Sequence, residues 1–474
     1  MNILLTGATG YIGKRILPLL VNMGHHVVCC VRDKSRFNPP SSLKGNISVI
    51  EIDLLEESSL SKIPTDIDIA YYLVHSMSSS ENYRILEQKS AINFREVLSK
   101  TKVNQVIYLS GIVNESNLSK HLESRKKVEE ELNKGNYNFT CLRAGIIIGS
   151  GSASFEIMRD LVEKLPVMIA PKWLLTRCQP IGISDVLKFL INCISVEETY
   201  NKNFDIGCYD VFTYKEMLLE LARVRNLTRK IWTIPVMSPN LSSYWLYFVT
   251  STSYKLARSL VSSMKVEVVC RDNEINQILG IEPISYTEAL VRAFDKIENN
   301  EIVSSWKDSY SSSGITIDLS EFVNVPEYGC FKDKRTRKME SRNTTVEKIW
   351  RIGGKNGWYF GTWLWKIRGF LDKLVGGVGL RRGRTNQNTI FAGDSLDFWR
   401  VLYANKQEGR LLLFAEMKLP GDAWLEFRIE GGNLIQTATF RPLGLSGRLY
   451  WFAVLPFHGI IFEGLLNKLS QSDK

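Results

Sequence analysis

Residues 2–13 read Asn-Ile-Leu-Leu-Thr-Gly-Ala-Thr-Gly-Tyr-Ile-Gly, an apolar run that leads into three glycines spaced three apart. The run predicts a buried strand, and the residues after it have a helical pattern up to Gly24. In such a turn the first glycine permits the bend, the second lets the backbone approach a pyrophosphate, and the third packs helix on strand. The helix N-terminus then offers free N–H groups to the anion. The predicted cofactor contacts in this turn are Gly7, Thr9, Gly10, Tyr11, Ile12 and Gly13.

A second apolar run, His26–Val31, follows the helix and gives the glycine turn the context of a dinucleotide-binding unit. The residue after this strand distinguishes the cofactors, because an acid binds the ribose 2′-OH of NAD whereas an arginine accommodates the 2′-phosphate of NADP. Arg32 stands there, and its planar guanidinium suits a phosphate. We therefore predict a preference for NADP(H). In the alternative interpretation, Asp33 binds a ribose hydroxyl of NAD.

The third apolar run, residues 47–54, predicts a strand that ends in an acid. Asp53 is predicted to reach the adenine, with a helix N-cap as a nearly equal alternative. Leu54 beside it is included among the predicted cofactor contacts. His75, at the end of a fourth apolar run, residues 70–76, is included as well.

Further segments continue this order: residues 105–111 and 138–145 are apolar, and residues 179–186 open a late helix. With the glycine turn, they make roughly the first 300 residues resemble the atypical or extended branch of the short-chain dehydrogenase/reductase superfamily, of the NmrA-like kind. The resemblance implies an α/β fold with a Rossmann-like doubly wound parallel sheet, and an NAD(P) cofactor. It also implies a catalytic serine at the end of the fifth strand, where Ser110 stands.

The chain departs from that family at the catalytic Tyr-x-x-x-Lys pair. His121 and Arg125 hold the equivalent i, i+4 positions, one helical turn apart. Histidine can transfer protons near neutral pH, and the fixed charge of Arg125 could anchor a ribose or an anionic substrate. We predict His121, Arg125 and Ser110 as catalytic residues. In the alternative interpretation, His121 and Arg125 are only helix-surface residues, and Ser110 only caps the end of a strand. Tyr108 is expected to point away from the site.

The composition is that of a globular protein: of 474 residues, 44% are hydrophobic and 23% charged. The net charge of +10 is concentrated at one end, since residues 326–474 hold 24 Lys/Arg against 14 Asp/Glu, with seven of the eleven tryptophans. This shift predicts an NAD(P)-binding domain over residues 1–303, a linker over 304–345 and a second domain over 346–474. The basic run 332–338 is interpreted as solvated linker. Nucleic-acid binding is not expected, because the tryptophans look like core residues.

The second domain has the pattern of consecutive hairpins closed by one helix. The predicted strands are residues 395–401, 410–419, 423–429 and 434–440, and an amphipathic stretch follows over 447–469. This pattern resembles the α+β helix-grip fold, in which an antiparallel sheet wraps a helix around an apolar cavity. Together with the strings at residues 357–359, 374–383 and 455–459, the whole chain resembles bacterial proteins in which an atypical reductase domain carries a domain of unknown function, DUF2867.

Residues 449–466 are apolar, but Pro456, His458 and Glu463 interrupt them, so burial against the sheet is expected rather than a membrane span. Peripheral contact of this basic domain with anionic lipid stays open. The eight cysteines form no CxxC pair, so neither a disulfide framework nor a metal site is expected. The first five residues lead straight into the glycine motif without a charged region before an apolar stretch. We therefore expect no signal peptide and a cytoplasmic location.

Two classes of function are compatible with these features. The first is an NADP(H)-dependent oxidoreductase that acts on an apolar or isoprenoid-like small molecule, which the C-terminal cavity holds or delivers. The second is a non-catalytic NAD(P)H-binding protein that senses redox state, which the absent tyrosine favours. A nucleotide-sugar epimerase is a weaker alternative, because it too relies on that tyrosine.

Overall fold

The computed structural model describes residues 1–34, 37, 41–74, 83–114, 118–234, 262–298, 325, 330–374, 384 and 389–471. The chain divides into two compact units, Met1–Trp306 and Lys307–Lys474. Each unit has its own hydrophobic core.

The first unit alternates strands and helices, as the order of apolar runs predicts. Its strands are β1 Asn2–Thr6, β2 His26–Val31, β3 Ile47–Glu51, β4 Ile69–Tyr72, β5 Gln105–Gly111, β6 Asn138–Ala144, β7 Ile147–Ile148, β8 Val167–Pro171, β9 Arg177–Cys178, β10 Ile181–Gly182, β11 Lys202–Ile206, β12 Phe212–Thr213 and β13 Lys230–Ile234. Its helices are α1 Gly13–Asn22, α2 Glu57–Leu60, α3 Tyr83–Leu98, α4 Lys120–Leu132, α5 Ala153–Lys164, α6 Ile183–Asn192, α7 Tyr214–Val224, α8 Glu274–Leu279 and α9 Tyr286–Glu298.

Seven of these strands form one parallel sheet in the order β11-β6-β5-β4-β1-β2-β3. Successive residues of a strand point to opposite faces, so Ile3 packs with α1 and α6 while Leu4 packs with α3 and α4. The strand order reverses between β1 and β4. The predicted Rossmann-like doubly wound sheet is therefore confirmed, and its switch point lies between these two strands.

A smaller lobe of the first unit contains the short strands β8, β9, β12 and β13 and helices α5, α7 and α9. Its core is largely apolar, with Phe155, Met217 and Phe294 among its buried side chains. Helix α7 begins with a capping box, in which the Thr213 and Glu216 side chains bind each other's backbone N–H groups.

The second unit is a six-stranded antiparallel sheet with helices on one face. Its strands are β14 Phe331–Lys338, β15 Ser395–Leu396, β16 Trp399–Asn405, β17 Arg410–Ala415, β18 Gly421–Glu430 and β19 Asn433–Pro442, and its helices are α10 Arg342–Trp350, α11 Thr362–Leu374 and α12 Gly444–Ser470. The sheet order is β14-β19-β18-β17-β16-β15. All three helices share one core with the sheet, for example through Val346 of α10, Trp365 of α11 and Phe462 of α12. The architecture agrees with the predicted helix-grip fold.

The predicted linker over residues 304–345 is wrong for its C-terminal part, because residues 331–338 form the edge strand β14. Strand β14 pairs along its whole length with β19. Charged residues alternate along it, and those that point inward find partners: Arg335 binds both Asp333 and Glu463. A charged edge strand is a usual protection against pairing with other chains, and it has the composition of a solvated linker.

The C-terminal end of the edge strand β14 lies beside the end of helix α12. Just after β14, the backbone N–H of Glu340 donates a hydrogen bond to the carbonyl oxygen of Ser470, at the end of α12 (3.1 Å). The C-terminal end of β14 and the last turn of the closing helix are thus joined directly.

A single strand was predicted over residues 395–401, but the structure has a hairpin there. Leu396 pairs with Trp399, so Asp397 and Phe398 form a two-residue turn. Asp397 has a φ of 56°, a left-handed conformation that aspartate tolerates better than most residues. The buried indole N–H of Trp358 donates to its carboxylate (2.8 Å), which stabilises the turn.

Helix α12 packs against the sheet through one face only. Trp451 stacks between Phe331 and Phe440 of the sheet, and Phe462 is buried. However, Phe452 and Ile460 are more than half exposed. Within the described residues, the stretch Ser446–Ser470 is long and apolar enough to cross a membrane by length and composition. The expected burial of residues 449–466 therefore holds for only one face of the helix.

His458 lies on the inward side of α12, against the rings of Trp451 and Phe462 (centroid distances 5.1 and 4.7 Å). Burial lowers its pKa from 6.5 to about 4, the charge of Asp333 raises it, and that of Arg335 lowers it further. Between these two pKa values the unfolded chain binds a proton that the folded domain does not. The free energy of unfolding must then fall as the pH falls from about 6.5 towards 4.

Replacing His458 by phenylalanine is expected to reduce this acid sensitivity, because the ring packing is kept while the titration is removed. The difference in the free energy of unfolding between the parent protein and the variant should change by about 2 kcal/mol from pH 7 to pH 4.5, allowing for partial exposure of the ring. Denaturant unfolding of the full chain, followed by tryptophan fluorescence at both pH values, measures it. The same pH dependence in both proteins would show that His458 does not titrate on unfolding.

Candidate functional site

The predicted site residues follow the carboxyl ends of the parallel strands. Gly7 follows β1, Arg32 follows β2, and Asp53 follows β3. Ser110 lies at the end of β5, and the next helix, α4, carries His121. Since these strands are parallel, the residues share one edge of the sheet, where open α/β sheets bind their ligands.

The glycine turn after β1 has the steric requirements that its spacing predicts. Gly7 has a φ of 70°, and a Cβ there would lie 2.7 Å from the carbonyl oxygen of Leu73, just after β4. A Cβ on Gly13 would lie 2.2 Å from the carbonyl oxygen of Gly7. Side chains are excluded at both positions by the protein's own backbone. Gly7 thus places the turn directly at the switch point between β1 and β4.

Gly10 differs from the other two glycines, because it is exposed and a Cβ there would meet only the Gly7 carbonyl oxygen, at 3.1 Å. Among the described residues, no acceptor binds the backbone N–H groups of Tyr11 and Ile12, which precede α1. The exposed Thr9 completes this surface. A bare backbone with unpaired N–H groups at a helix N-terminus fits a pyrophosphate.

The hydroxyl of Thr6 joins the two strands at the switch point. It donates to the carbonyl oxygen of Tyr71 (2.8 Å) and accepts from the backbone N–H of Leu73 (3.2 Å). The sequence predictions missed this contact, because a threonine before a glycine turn does not indicate its partner on a distant strand.

Tyr11 and Arg15 connect the glycine turn to the segment after β7. The Arg15 guanidinium lies 3.9 Å from the Tyr11 ring centroid and donates to the carbonyl oxygen of Ser150 (2.9 Å). The Tyr11 hydroxyl is buried beside Gly149 and has no hydrogen-bond partner among the described residues. Burial raises the pKa of Tyr11 to about 12, so this hydroxyl stays protonated at neutral pH.

Arg32 and Asp33 lie directly after β2, where the cofactor-specifying residue was predicted. Arg32 is exposed and Asp33 is half-buried, and both have partners within the protein. A guanidinium at this edge is in a position to meet a 2′-phosphate. His75, the predicted contact after β4, lies outside the described residues.

Asp53 is a turn residue rather than a helix N-cap. Its carboxylate accepts from the backbone N–H of Leu55 (2.9 Å), while Glu56 occupies the N-cap position of α2. The side chain of Leu54 is buried, and its carbonyl oxygen accepts from the Asn93 amide (2.8 Å). Contacts of Asp53 and Leu54 with a cofactor stay predictions.

The structure brings Arg125 to the end of β5. Its Nη1 donates to the carbonyl oxygen of Leu109 (3.0 Å), next to Ser110. The Ser110 hydroxyl is buried and makes no hydrogen bond of ordinary length with a described residue, but it lies near enough to Tyr108 to help lower the pKa of that tyrosine. Ser119 caps α4 by accepting from the Leu122 N–H, which fixes half-buried His121 in the first turn, one turn before Arg125.

Tyr108 lies on the same face of β5 as Ser110, and the expectation that it points away is wrong. Residues two apart on a strand share a face. Tyr108 packs edge-on against Tyr72 (5.8 Å between ring centroids). Burial raises the pKa of Tyr108 to about 12, while the nearby charge of Arg125 lowers it. The tyrosine is fully buried, so it packs in the core beneath the end of β5 and is not exposed at the site.

Asp205 anchors the loop that links β5 to α4. This fully buried carboxylate accepts from the Asn114 amide (2.8 Å) and from the Arg271 guanidinium (2.9 Å). The Ser119 hydroxyl also lies 3.1 Å from that of Ser263. The sequence predictions missed these contacts, because the partners lie 66 to 144 positions apart.

Within the described ranges, no group of three or more His, Cys, Asp or Glu residues could hold a metal ion. The eight cysteines are free. Burial raises the pKa of the Cys29 thiol to about 12, so it is not a reactive thiolate at neutral pH.

Comparison with known proteins agrees with both domains. Residues 7–164 match a family described as NAD(P)H-binding, and residues 329–465 match the family of unknown function DUF2867. The second match begins just before β14, in agreement with the place of this strand in the C-terminal sheet. These matches confirm the resemblance described above, in which an NAD(P)H-binding domain of the atypical reductase type precedes a DUF2867 domain.

Curated relatives include divinyl chlorophyllide a 8-vinyl-reductases of chloroplasts. The protein from Cucumis sativus is 24% identical over 223 residues, which cover 44% of this chain and 52% of the relative. The one from Arabidopsis thaliana is 22% identical over 226 residues, covering 44% and 53%. The chain thus spans about half the length of the curated relatives it matches.

Solved structures share the fold of the first unit. They include an NADPH-dependent quinone oxidoreductase of Escherichia coli in complex with NADPH (TM-score 0.50, 16% identity, 62% of this chain and 99% of that chain). A triphenylmethane reductase of Citrobacter sp. gives a TM-score of 0.50 at 16% identity, covering 62% and 100%. An epimerase of Methanothermobacter thermautotrophicus gives 0.50 at 14% identity, covering 64% and 94%.

Proposed function

We propose that this chain, an NAD(P)H-binding domain joined to a DUF2867 domain, is an NADPH-dependent reductase of an apolar small molecule. The observation that carries the proposal is the glycine turn at the switch point, with Gly10 exposed and unpaired N–H groups before α1. Arg32 after β2 supports NADPH over NADH. The names of the curated relatives, reductases of a vinyl group, support reduction as the reaction.

When bound, NADPH supplies a hydride, and the chain has to position the substrate and provide a proton. His121, half-buried in the first turn of α4, is the proposed proton donor, because imidazole changes its charge near neutral pH. The buried Ser110 hydroxyl, at the end of β5, would orient a polar atom of the substrate. Arg125 is held by the Leu109 carbonyl, so its fixed charge stays at the end of β5.

Cofactor choice tests the first part of this proposal. Replacing Arg32 by alanine should weaken NADPH binding by about 1–3 kcal/mol, the loss expected for a charged hydrogen-bonding partner, and leave NADH binding nearly unchanged. Titration calorimetry with both cofactors measures this. Arg292→Ala, which removes another exposed arginine on α9, serves as the control. Equal losses for both cofactors would show that Arg32 does not contact the 2′-phosphate.

Turnover tests the second part. The purified full-length protein is incubated with NADPH and a lipid extract, and the compounds are compared by mass spectrometry with an incubation that lacks protein. A reductase consumes NADPH and yields a compound heavier by two hydrogens.

The second candidate function, a redox-sensing protein without chemistry, is favoured by one observation: a histidine stands at the position of the family's tyrosine. It predicts tight NADPH binding with no consumption. A nucleotide-sugar epimerase, the weaker alternative, would convert its substrate without a net change in NADPH.

A further inference from the structure

Helix α11 exposes large apolar side chains to solvent, which is unusual for a helix of a soluble domain. Trp363, Ile367, Phe370 and Leu371 follow the spacing of one helix face and are about half exposed or more. The opposite face, which includes Trp365, packs on the core. The helix therefore has two apolar faces, and only one of them is covered by the domain.

Helix α12 continues this surface. Phe452, Phe457 and Ile460 are more than half exposed on its outer side. The two helices are neighbours, since the Arg368 guanidinium lies 5.9 Å from the Tyr450 ring centroid.

Both helices contribute to the same core on one face of the sheet, so their outer faces lie on the same side of the domain. We call the six exposed side chains Trp363, Ile367, Phe370, Phe452, Phe457 and Ile460 the apolar face. Six large apolar side chains exposed on one side of a soluble domain are unusual, and such a surface is typical of an interaction site.

The charges on these two helices are complementary to an anionic partner. Lys366 and Arg448 are exposed. The acidic side chains are already engaged: Asp372 is fully buried and accepts from the Lys418 backbone N–H (2.7 Å), and Glu463 binds Arg335. These exposed basic side chains and the net positive charge of residues 326–474 favour a negatively charged surface as the partner, rather than an uncharged groove on another protein.

We propose that the apolar face docks the C-terminal domain on a membrane surface that contains anionic lipid. Trp363, Phe370 and their neighbours enter the region between headgroups and acyl chains, while the basic side chains meet the headgroups. The helices lie in the plane of the membrane. A span formed by α12 is disfavoured, because Phe462 and Leu465 on its inner side belong to the core of the domain. This inference does not depend on the reductase activity.

Vesicle flotation with the full-length protein tests the proposal. The protein is expected to float with phosphatidylcholine vesicles that contain about 30% phosphatidylglycerol and much less with phosphatidylcholine alone. Binding should weaken when the salt concentration is raised to about 0.5 M, because salt screens the headgroup charge.

Two matched pairs of variants locate the contact. Ile460 and Ile85, on α3, are exposed to similar extents (62% and 67%), as are Trp363 and Trp232 on β13 (63% and 59%). Ile460→Glu and Trp363→Ala should weaken vesicle binding about tenfold or more. Ile85→Glu and Trp232→Ala should leave it unchanged. NADPH affinity and the melting temperature of each variant show that it is folded.

Three outcomes would overturn the proposal. Equal loss in both members of a pair would mean that binding does not use the apolar face. A dimer in size-exclusion chromatography that Ile460→Glu dissociates, without vesicle binding, would identify a second copy of the chain as the occupant. Protein from cell membranes that resists alkaline carbonate and is extracted only by detergent would indicate a span by α12.

Discussion

Replacing His121 by asparagine is expected to lower the turnover of a reduced substrate by ~10²–10⁴-fold and leave NADPH affinity unchanged. Asparagine keeps much of the size and some hydrogen bonding of the imidazole but cannot titrate. His121 lies in the capped first turn of α4, after the strand that carries Ser110, so the substitution leaves the cofactor turn untouched. The pH profile of kcat should lose the limb that reports the histidine.

The control for this variant is His25→Asn, which changes a histidine just before β2, at the opposite end of the strands from the site. It should turn substrate over at the parent rate. If His121→Asn also does so, the proton comes from elsewhere, and Ser110 or the substrate itself is the next group to test. If the parent turns over no compound while both proteins bind NADPH, the redox-sensing function is supported instead.

Replacing Gly10 by valine is expected to weaken the binding of NADPH and NADH alike, by at least ~100-fold. Gly10 is exposed, and a Cβ there meets only one carbonyl oxygen, at 3.1 Å, so the folded domain tolerates a side chain with small adjustments. The isopropyl group would nevertheless occupy the surface where a pyrophosphate approaches the N–H groups of Tyr11 and Ile12. Losing two charge-assisted hydrogen bonds corresponds to about this decrease.

Gly45→Val is the matched control, since a Cβ on Gly45 meets nothing within 4 Å. Both variants should melt at the parent temperature, and only Gly10→Val should lose the cofactors in calorimetry. Unchanged NADPH affinity in a folded Gly10→Val protein would mean that the pyrophosphate does not bind at this turn. This result differs from that expected for Arg32→Ala, which affects NADPH alone.

The sequence predicts the first domain well, because its signals are local. Strand β5 has the predicted bounds, Gln105–Gly111, since an apolar run between polar residues specifies it without reference to the rest of the chain. The glycine turn is equally local: its spacing is set by backbone contacts within the turn and with one neighbouring strand. The edge strand β14 was missed because its charged residues give no apolar signal, and only its pairing with β19 shows that it is a strand.

The candidate site shows the same limit. The positions of Gly7, Arg32 and Ser110 follow from the ends of strands, which the sequence pattern specifies. The contacts that hold the site in shape join distant segments, as when the Thr6 hydroxyl bridges to Leu73 or Asp205 binds Arg271. Such partners depend on how the strands are ordered in the sheet, and no local pattern encodes that order.

The hydrogen bond between Glu340 and Ser470 has a consequence for how the C-terminal domain can be handled. It ties the last residue of the closing helix to the backbone just after the edge strand β14, and the neighbouring side chain of Leu469 is fully buried. A truncation that removes the last turn of α12 would therefore lose both this hydrogen bond and part of the core, whereas the Gly431-Gly432 turn between β18 and β19 is exposed and can receive an insertion. Tags and fusion partners are thus better placed in this turn than in the last turn of α12.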